Sequence, residues 1–459
     1  MTLTPAAELD ARFHFHPYAN PRQVERDGAL VIVSGRGVHV TDERGKEYIE
    51  GMAGLWCAAL GFSEQRLVEA AYRQMQVLPY YHTFSGKVPG PVAGLVEKMM
   101  AWSPVPMARV LFANSGSESN DTAFKLVRYY HNAIGKPNKK KIIARDKGYH
   151  GVTLASASLS GLPAMHRNFD LPLPDVVRVA CPHPYQFAAP GETPDAFAQR
   201  LARELEETIL REGPDTIGAF IAEPVQGAGG VIVPPSSYFD LVQPILRKYD
   251  ILLIADEVVS GFGRLGERFG AEVYGLQPDF ITVAKMLTSA YVPMSALYVS
   301  DRVYQAVADA SSTVGVFGHG YTYGGHPVAC AVALEALRIY DSDDVIGHVR
   351  RVAPRLQQGL RKYVGHPFVG DVRGMGLIAG VELAADPAAR RPFPPERGVG
   401  AYLVRRAQEH GLILRTMAGD IVAFSPPLVI SDAEIDELLA RFDRALRDTS
   451  DWIATWHEG

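Results

Sequence analysis

The chain has 459 residues, 47% hydrophobic and 21% charged, with a formal net charge of -5. This is ordinary globular composition, and the length calls for two folding units rather than one small core. The mild negative balance gives no basic footprint for nucleic acid, and no apolar run approaches the ~20 residues that span a membrane. The start, "MTLTPAAELDARFHFHPY", has no cationic stretch leading into an apolar one, so no signal peptide is expected. Cys57, Cys181 and Cys330 form no CxxC pair and suit free thiols in a reducing, cytoplasmic setting. His14, His16 and His150 have no metal-ligand partners at helical spacing, so no metal is expected.

In chain order, short apolar runs alternate with helical patterns, the signature of a mainly parallel α/β sheet. "ARVLFA" (108–113) leads into the helix-like "SESNDTAFKLVRYYHNAIG", and "KKIIAR" (140–145) is a second strand. The stretch 193–213 repeats apolar residues at three and four and stops at a glycine, as a helix should. Then come a strand at 216–222, a helix at 238–250, and strands at 251–255 and 280–284. A long helix at 326–341 leads out of this unit. Beyond it, 376–383, 411–415 and 420–426 read as strands of a smaller α+β domain, with "ADPAARRPFPPERG" (385–398) a surface loop. A last helix opens at Ser431 with Glu434 three residues on, a capping box.

Open parallel sheets bind ligands beyond the carboxyl ends of their strands, so the residues just after each apolar run carry the information. Asn114, Ser115, Gly116 and Ser117 turn a strand into a helix and leave N–H groups and hydroxyls at its positive end, suited to a phosphate or to plain capping. Asp256 ends "ILLIAD" in an apolar wall and needs a cation, either a protonated heteroaromatic nitrogen or an arginine such as Arg264. Tyr149 could stack on a flat ring or fill core. Lys285 follows the strand "FITVA", where a nucleophilic amine or a solvated strand end are the choices. Cradle, stacking ring, carboxylate partner for a pyridinium and amine together describe a pyridoxal phosphate site with Lys285 holding the cofactor. "GFGRLG" (261–266) fits GxGxxG but does not sit between a strand and a helix, so no dinucleotide is expected.

The ordered set "NSGSES", "KGYHG", "EPVQGAGG", "ADEVVSGFGR", "AKMLTSAYVP" and "HGYTYGGHPVACA" closely resembles class III aminotransferases, and within them the ω-transaminases. The resemblance implies a fold type I enzyme that moves an amino group from a primary amine or ω-amino acid to pyruvate or another small keto acid. It implies a large cofactor domain at 61–330, a small domain at 331–459 and an N-terminal segment, 1–60, packing with the small domain. Decarboxylases and aminomutases share the scaffold and are the first alternatives, followed by a non-catalytic ligand-binding protein.

By the same resemblance Lys285 forms the Schiff base and shuttles the proton, and Asp256 pairs with the ring nitrogen. Val258 and Tyr149 sandwich the ring, and Gly116 and Ser117 bind phosphate with Thr322 of the partner subunit in a homodimer. Trp56 lines the substrate pocket. Arg415 is a mobile carboxylate grip with Glu223, among the cofactor-binding residues, as its resting partner. The family places small residues where Met286 and Ala290 stand and often a bulky aromatic where Ser85 stands, which implies a pocket reshaped for larger amines.

Overall fold

A computed structural model describes residues 3–457 of the chain. Its central sheet has seven strands, which run across it in the order Arg109–Ala113, Ser295–Val299, Phe280–Val283, Leu252–Asp256, Ile217–Ala222, Lys141–Arg145 and Val176–Val179. Ser295–Val299 is antiparallel to both neighbours, and every other pairing is parallel. The inner strands are apolar throughout because both faces are covered. Ala219 and Ile221 face the helices Gly116–Ala133 and Asp301–Val314, whereas Phe220 and Ala222 join the core on the other side.

The strands expected at 108–113, 140–145, 216–222, 251–255 and 280–284 form within a residue or two of those limits. Two strands of this sheet carried too little signal. Val176–Val179 lies at an edge, is only half-buried and holds Arg178 at its centre. Ser295–Val299 follows the lysine loop directly and returns antiparallel, a connection that a βα alternation does not announce.

Two smaller sheets flank the large one. The first contains Ile32–Arg36, His39–Asp42 and Glu47–Glu50 and is completed by Leu412–Ile413, parallel to Glu47–Glu50. The second is antiparallel: Val369–Met375, Ile378–Leu383, Ile421–Phe424 and Arg415–Met417. The segment 411–415, expected as one strand, is therefore split. Its first half pairs with the N-terminal segment, its second half with the C-terminal sheet, and Arg415 opens the latter. The helix Pro327–Ser342 runs through residue 330, and the capping box at Ser431 and Glu434 forms in both directions.

"GFGRLG" serves the packing of these parts. Arg264 is fully buried, and its guanidinium donates to the carbonyls of Leu377 (3.0 Å) and Pro426 (2.5 Å). Burial pulls its pKa down to about 10.

The chain after the lysine turns through left-handed backbone at Lys285 (φ 43), Ser289 (φ 49) and Ala290 (φ 64). Outside glycine, such a conformation costs about 1–2 kcal/mol. Replacing Ala290 with glycine should raise stability by about 1 kcal/mol in chemical denaturation, and a neutral or destabilised variant would show that this turn carries no strain.

Candidate active site

Asp256 is the last residue of its strand and is 3% exposed. Its Oδ2 accepts from Asn120 Nδ2 (2.8 Å) and His150 Nδ1 (2.7 Å), and its Oδ1 accepts the Val258 N–H (3.1 Å). Asn120 also donates to the His150 carbonyl (2.7 Å), so the side chains that hold the carboxylate hold each other. The Arg264 pairing that the sequence left open is not made, because that arginine is committed to Leu377 and Pro426. Oδ1 keeps capacity for one more donor, aimed from the strand end. A protonated ring nitrogen fits it.

The helix Gly116–Ala133 starts one turn from this carboxylate. Ser115 caps it, its hydroxyl accepting the Glu118 N–H (3.3 Å), while Glu118 reaches back to the Asn114 N–H (2.7 Å). Ser117 Oγ accepts the Val152 N–H (3.1 Å). Gly151 permits that approach, since a Cβ there would lie 2.5 Å from Ser117 Oγ. A Cβ on Gly116 would lie 3.0 Å from a Val258 methyl, so the helix start and Val258 are in contact distance. The positive helix end and a bare backbone next to Val258 suit a phosphate joined to a flat ring.

Tyr149 continues the chain of contacts. Its N–H donates to Glu223 Oε1 (2.9 Å), whose other oxygen accepts the Gly227 N–H (2.9 Å). Burial pushes the Glu223 pKa up. Glu223 is thus tied to two backbone amides, and the expected Glu223–Arg415 pair is not formed. Arg415 instead faces aromatic rings, 5.5 Å from the centre of Trp56 and 5.9 Å from that of Tyr18. The Tyr18 side chain is also hydrogen-bonded to that of Tyr149, whose hydroxyl is pushed up chiefly by burial. Lys285 closes the ring of contacts: its Nζ stands 5.9 Å from the centre of Trp56. Among the described residues no carboxylate pairs with Lys285 or Arg415, leaving an amine and a guanidinium on one indole.

The profile of the family described as Aminotransferase class-III matches residues 21–446. This chain belongs to the class III aminotransferases. It is 51% identical to the mitochondrial gamma aminobutyrate transaminase 1 of Solanum lycopersicum over 421 residues, 92% of this chain and 82% of that one. An ω-transaminase from Pseudomonas jessenii, solved in complex with PMP, superposes with a TM-score of 0.97 at 51% identity, covering 98% of this chain and 99% of that one. A thermostable ω-transaminase variant engineered for asymmetric synthesis of enantiopure bulky amines does so with 0.96 at 50% identity, covering 98% and 100%. The aminotransferase uses pyridoxal 5'-phosphate, and the donor set at Asp256, the helix start and the amine at Lys285 fit that group. No helix of its described residues is long and apolar enough to cross a membrane.

Two predicted residues lie apart from this cluster in the aminotransferase. Thr322 is exposed, with its carbonyl accepting from Tyr80 (2.8 Å). Ser85 is exposed on a groove of about 890 Å³ between the segments around Phe84 and Phe317. Met286, expected to help reshape the pocket, is fully buried, with its sulfur 3.6 Å from Arg264 and its carbonyl accepting from Tyr340 (2.6 Å).

Sequence reasoning missed Asn120, His150 as a carboxylate partner, Tyr18 and Glu50. His150 adjoins Tyr149 in "KGYHG", and Asn120 lies one turn into the helix that starts at Gly116, so both were within reach of the motifs. Glu50 had no such signal. Its carboxylate accepts from the Met52 N–H (3.3 Å) and the Gly54 N–H, fixing the turn that presents Trp56.

Burial pushes Glu50 up to about 7. In the unfolded chain it titrates near the ordinary value of about 4.5, so between these values only the folded state keeps the proton. Its contribution to stability therefore falls as pH rises from 4.5 to about 7. Glu257, also pushed up to about 7 by burial, adds a second such group. Glu50→Gln should flatten part of this slope in denaturant melts of the aminotransferase at pH 5 and 8. An unchanged slope would place the titration elsewhere.

Proposed function

We propose that this aminotransferase moves the amino group of a primary amine or ω-amino acid to pyruvate or another small keto acid in two half-reactions. The observation that carries the reading is Trp56, an apolar wall with Lys285 Nζ toward one part and the Arg415 guanidinium toward another (5.9 and 5.5 Å). Bound pyridoxal 5'-phosphate supplies an aldehyde that captures amines and a ring that spreads the electrons left when a substrate α-C–H bond breaks.

The chain's own groups do the rest. Lys285 Nζ would anchor the cofactor, then take the proton from the substrate α-carbon and deliver it to the cofactor carbon that carried the aldehyde. Asp256 Oδ1 keeps the ring nitrogen protonated, and its oxygens are fixed by Asn120, His150 and the Val258 N–H. Gly116 and Ser117 hold the phosphate, Val258 and Tyr149 flank the ring, and Glu223 steadies Tyr149 through its N–H. Arg415 grips the carboxylate of a keto acid or ω-amino acid with two parallel hydrogen bonds, and leaves the indole free when an uncharged amine enters. γ-Aminobutyrate, for which the tomato relative is named, carries at its far end the one carboxylate that this grip requires.

The changes named for the engineered neighbour replace a tryptophan, a phenylalanine and an arginine, and this chain has the same residue types at the same intervals: Trp56, Phe84 and Arg415. Phe84, next to Ser85, is therefore the aromatic of the substrate pocket in this reading, and the large residue at that place is kept. Replacing Arg415 with leucine should raise the KM for pyruvate at least tenfold while the half-reaction with an aryl-alkyl amine, followed by the change in cofactor absorbance, stays within threefold. Equal loss in both half-reactions would remove Arg415 from carboxylate binding.

Phe84, Ser85 and Thr322 reach a site on a second copy in this reading, making the active form a homodimer with shared sites. The exposure of Thr322 and the groove beside Phe84 support it. The three free, separate thiols fit a reducing, cytoplasmic setting. Lys285→Ala and Thr322→Asp should each be inactive alone. Mixed by refolding or co-expression, they should regain about a quarter of wild-type activity, since half the dimers then have one intact site. No recovery would place both residues in the same protomer's site.

A further inference from the structure

Outside the cofactor site, the N-terminal segment brings together three side chains that the chemistry above does not use. The helix Pro5–Phe13 ends at His14, whose backbone is extended (φ -97, ψ 123). Asp10 lies one helical turn before His14, so the two share a face. In extended chain alternate residues point the same way, which brings His16 to the side of His14 and sends Phe15 out to solvent, 82% exposed. Asp10 Oδ1 meets His14 Nδ1 at 2.9 Å, Asp10 Oδ2 meets His16 Nε2 at 2.6 Å, and the two imidazoles are 4.3 Å apart at their centres. The sequence expectation of no metal overlooked Asp10.

We propose that Asp10, His14 and His16 form a binding site for a borderline divalent transition metal ion of the zinc type. The two imidazoles and one carboxylate are the ligand set such ions take, and not that of calcium or magnesium. The three ligand atoms lie within 4.8 Å of one another. Bonds of about 2.0–2.2 Å to one ion put tetrahedral ligands about 3.3 Å apart, within reach of small side-chain rotations. The side chains are open to solvent by 26%, 58% and 23% for Asp10, His14 and His16, which leaves a fourth position for water and a path for the ion. Two residues further on, Tyr18 faces Arg415, so an ion here pins the chain that enters the active site.

The test is zinc titration of the tag-free holoenzyme by calorimetry, after dialysis against a chelator. One zinc ion per chain is expected to bind with a Kd in the micromolar range. The Asp10→Asn variant should bind at least tenfold more weakly, and the His14→Ala/His16→Ala double variant should lose the site. Amide hydrogen exchange across 10–18 should slow with zinc in the wild type and not in the double variant. Equal binding by the double variant, or no binding below millimolar zinc, overturns the proposal. Because cofactor absorbance and amine turnover are read separately, failure of this site is distinguishable from failure of the transamination reading.

Discussion

A carboxylate in a wall of alanine and isoleucine is the constraint on which this molecule is organised. Asp256 ends an interior strand, and an ionised group placed there must be compensated by directed donors. The compensation is built from separate parts of the chain: Asn120 from the phosphate helix, His150 from the loop after Lys141–Arg145, and the N–H of Val258 from the turn that follows. Each donor also delivers a neighbour to the site. Asn120 comes with Gly116 and Ser117, His150 with Tyr149, and the Val258 N–H with the Val258 side chain. Satisfying one buried carboxylate therefore assembles most of the surface proposed to receive the cofactor.

The remaining surface comes from outside the central sheet. Trp56 is offered by a turn that Glu50 fixes, and Arg415 opens a strand at the point where the chain changes sheets. Arg264 links the strand-end loops to the smaller sheet through the Leu377 and Pro426 carbonyls. The positions of amine and guanidinium relative to the indole are thus set by the fit between parts of the fold, not by any one element.

Sequence pattern revealed the elements that are buried on both faces and the polar residues that end them. Continuous apolar runs such as 217–222 leave little choice of structure, and a lysine or aspartate at their ends stands out. Edge strands were less legible, since Val176–Val179 has neither continuous apolarity nor strict alternation. The split of 411–417 was hidden because both halves are short and follow one another directly, and only their partners distinguish them. Tyr18 and Arg264 were unreadable as site supports for a related reason. Their roles depend on contacts made more than a hundred residues away, and a local window holds no trace of such contacts.

The parallel pairing of Glu47–Glu50 with Leu412–Ile413 also orders events in time. During synthesis the early strand emerges long before its partner, and at about 5–20 residues per second the wait is on the order of tens of seconds. For that interval the segment that carries the indole has an open edge and nothing to close it. The large sheet, complete by Val299, can mature in the meantime, so Asp256 and its donors can be in place before the edge behind the indole is closed.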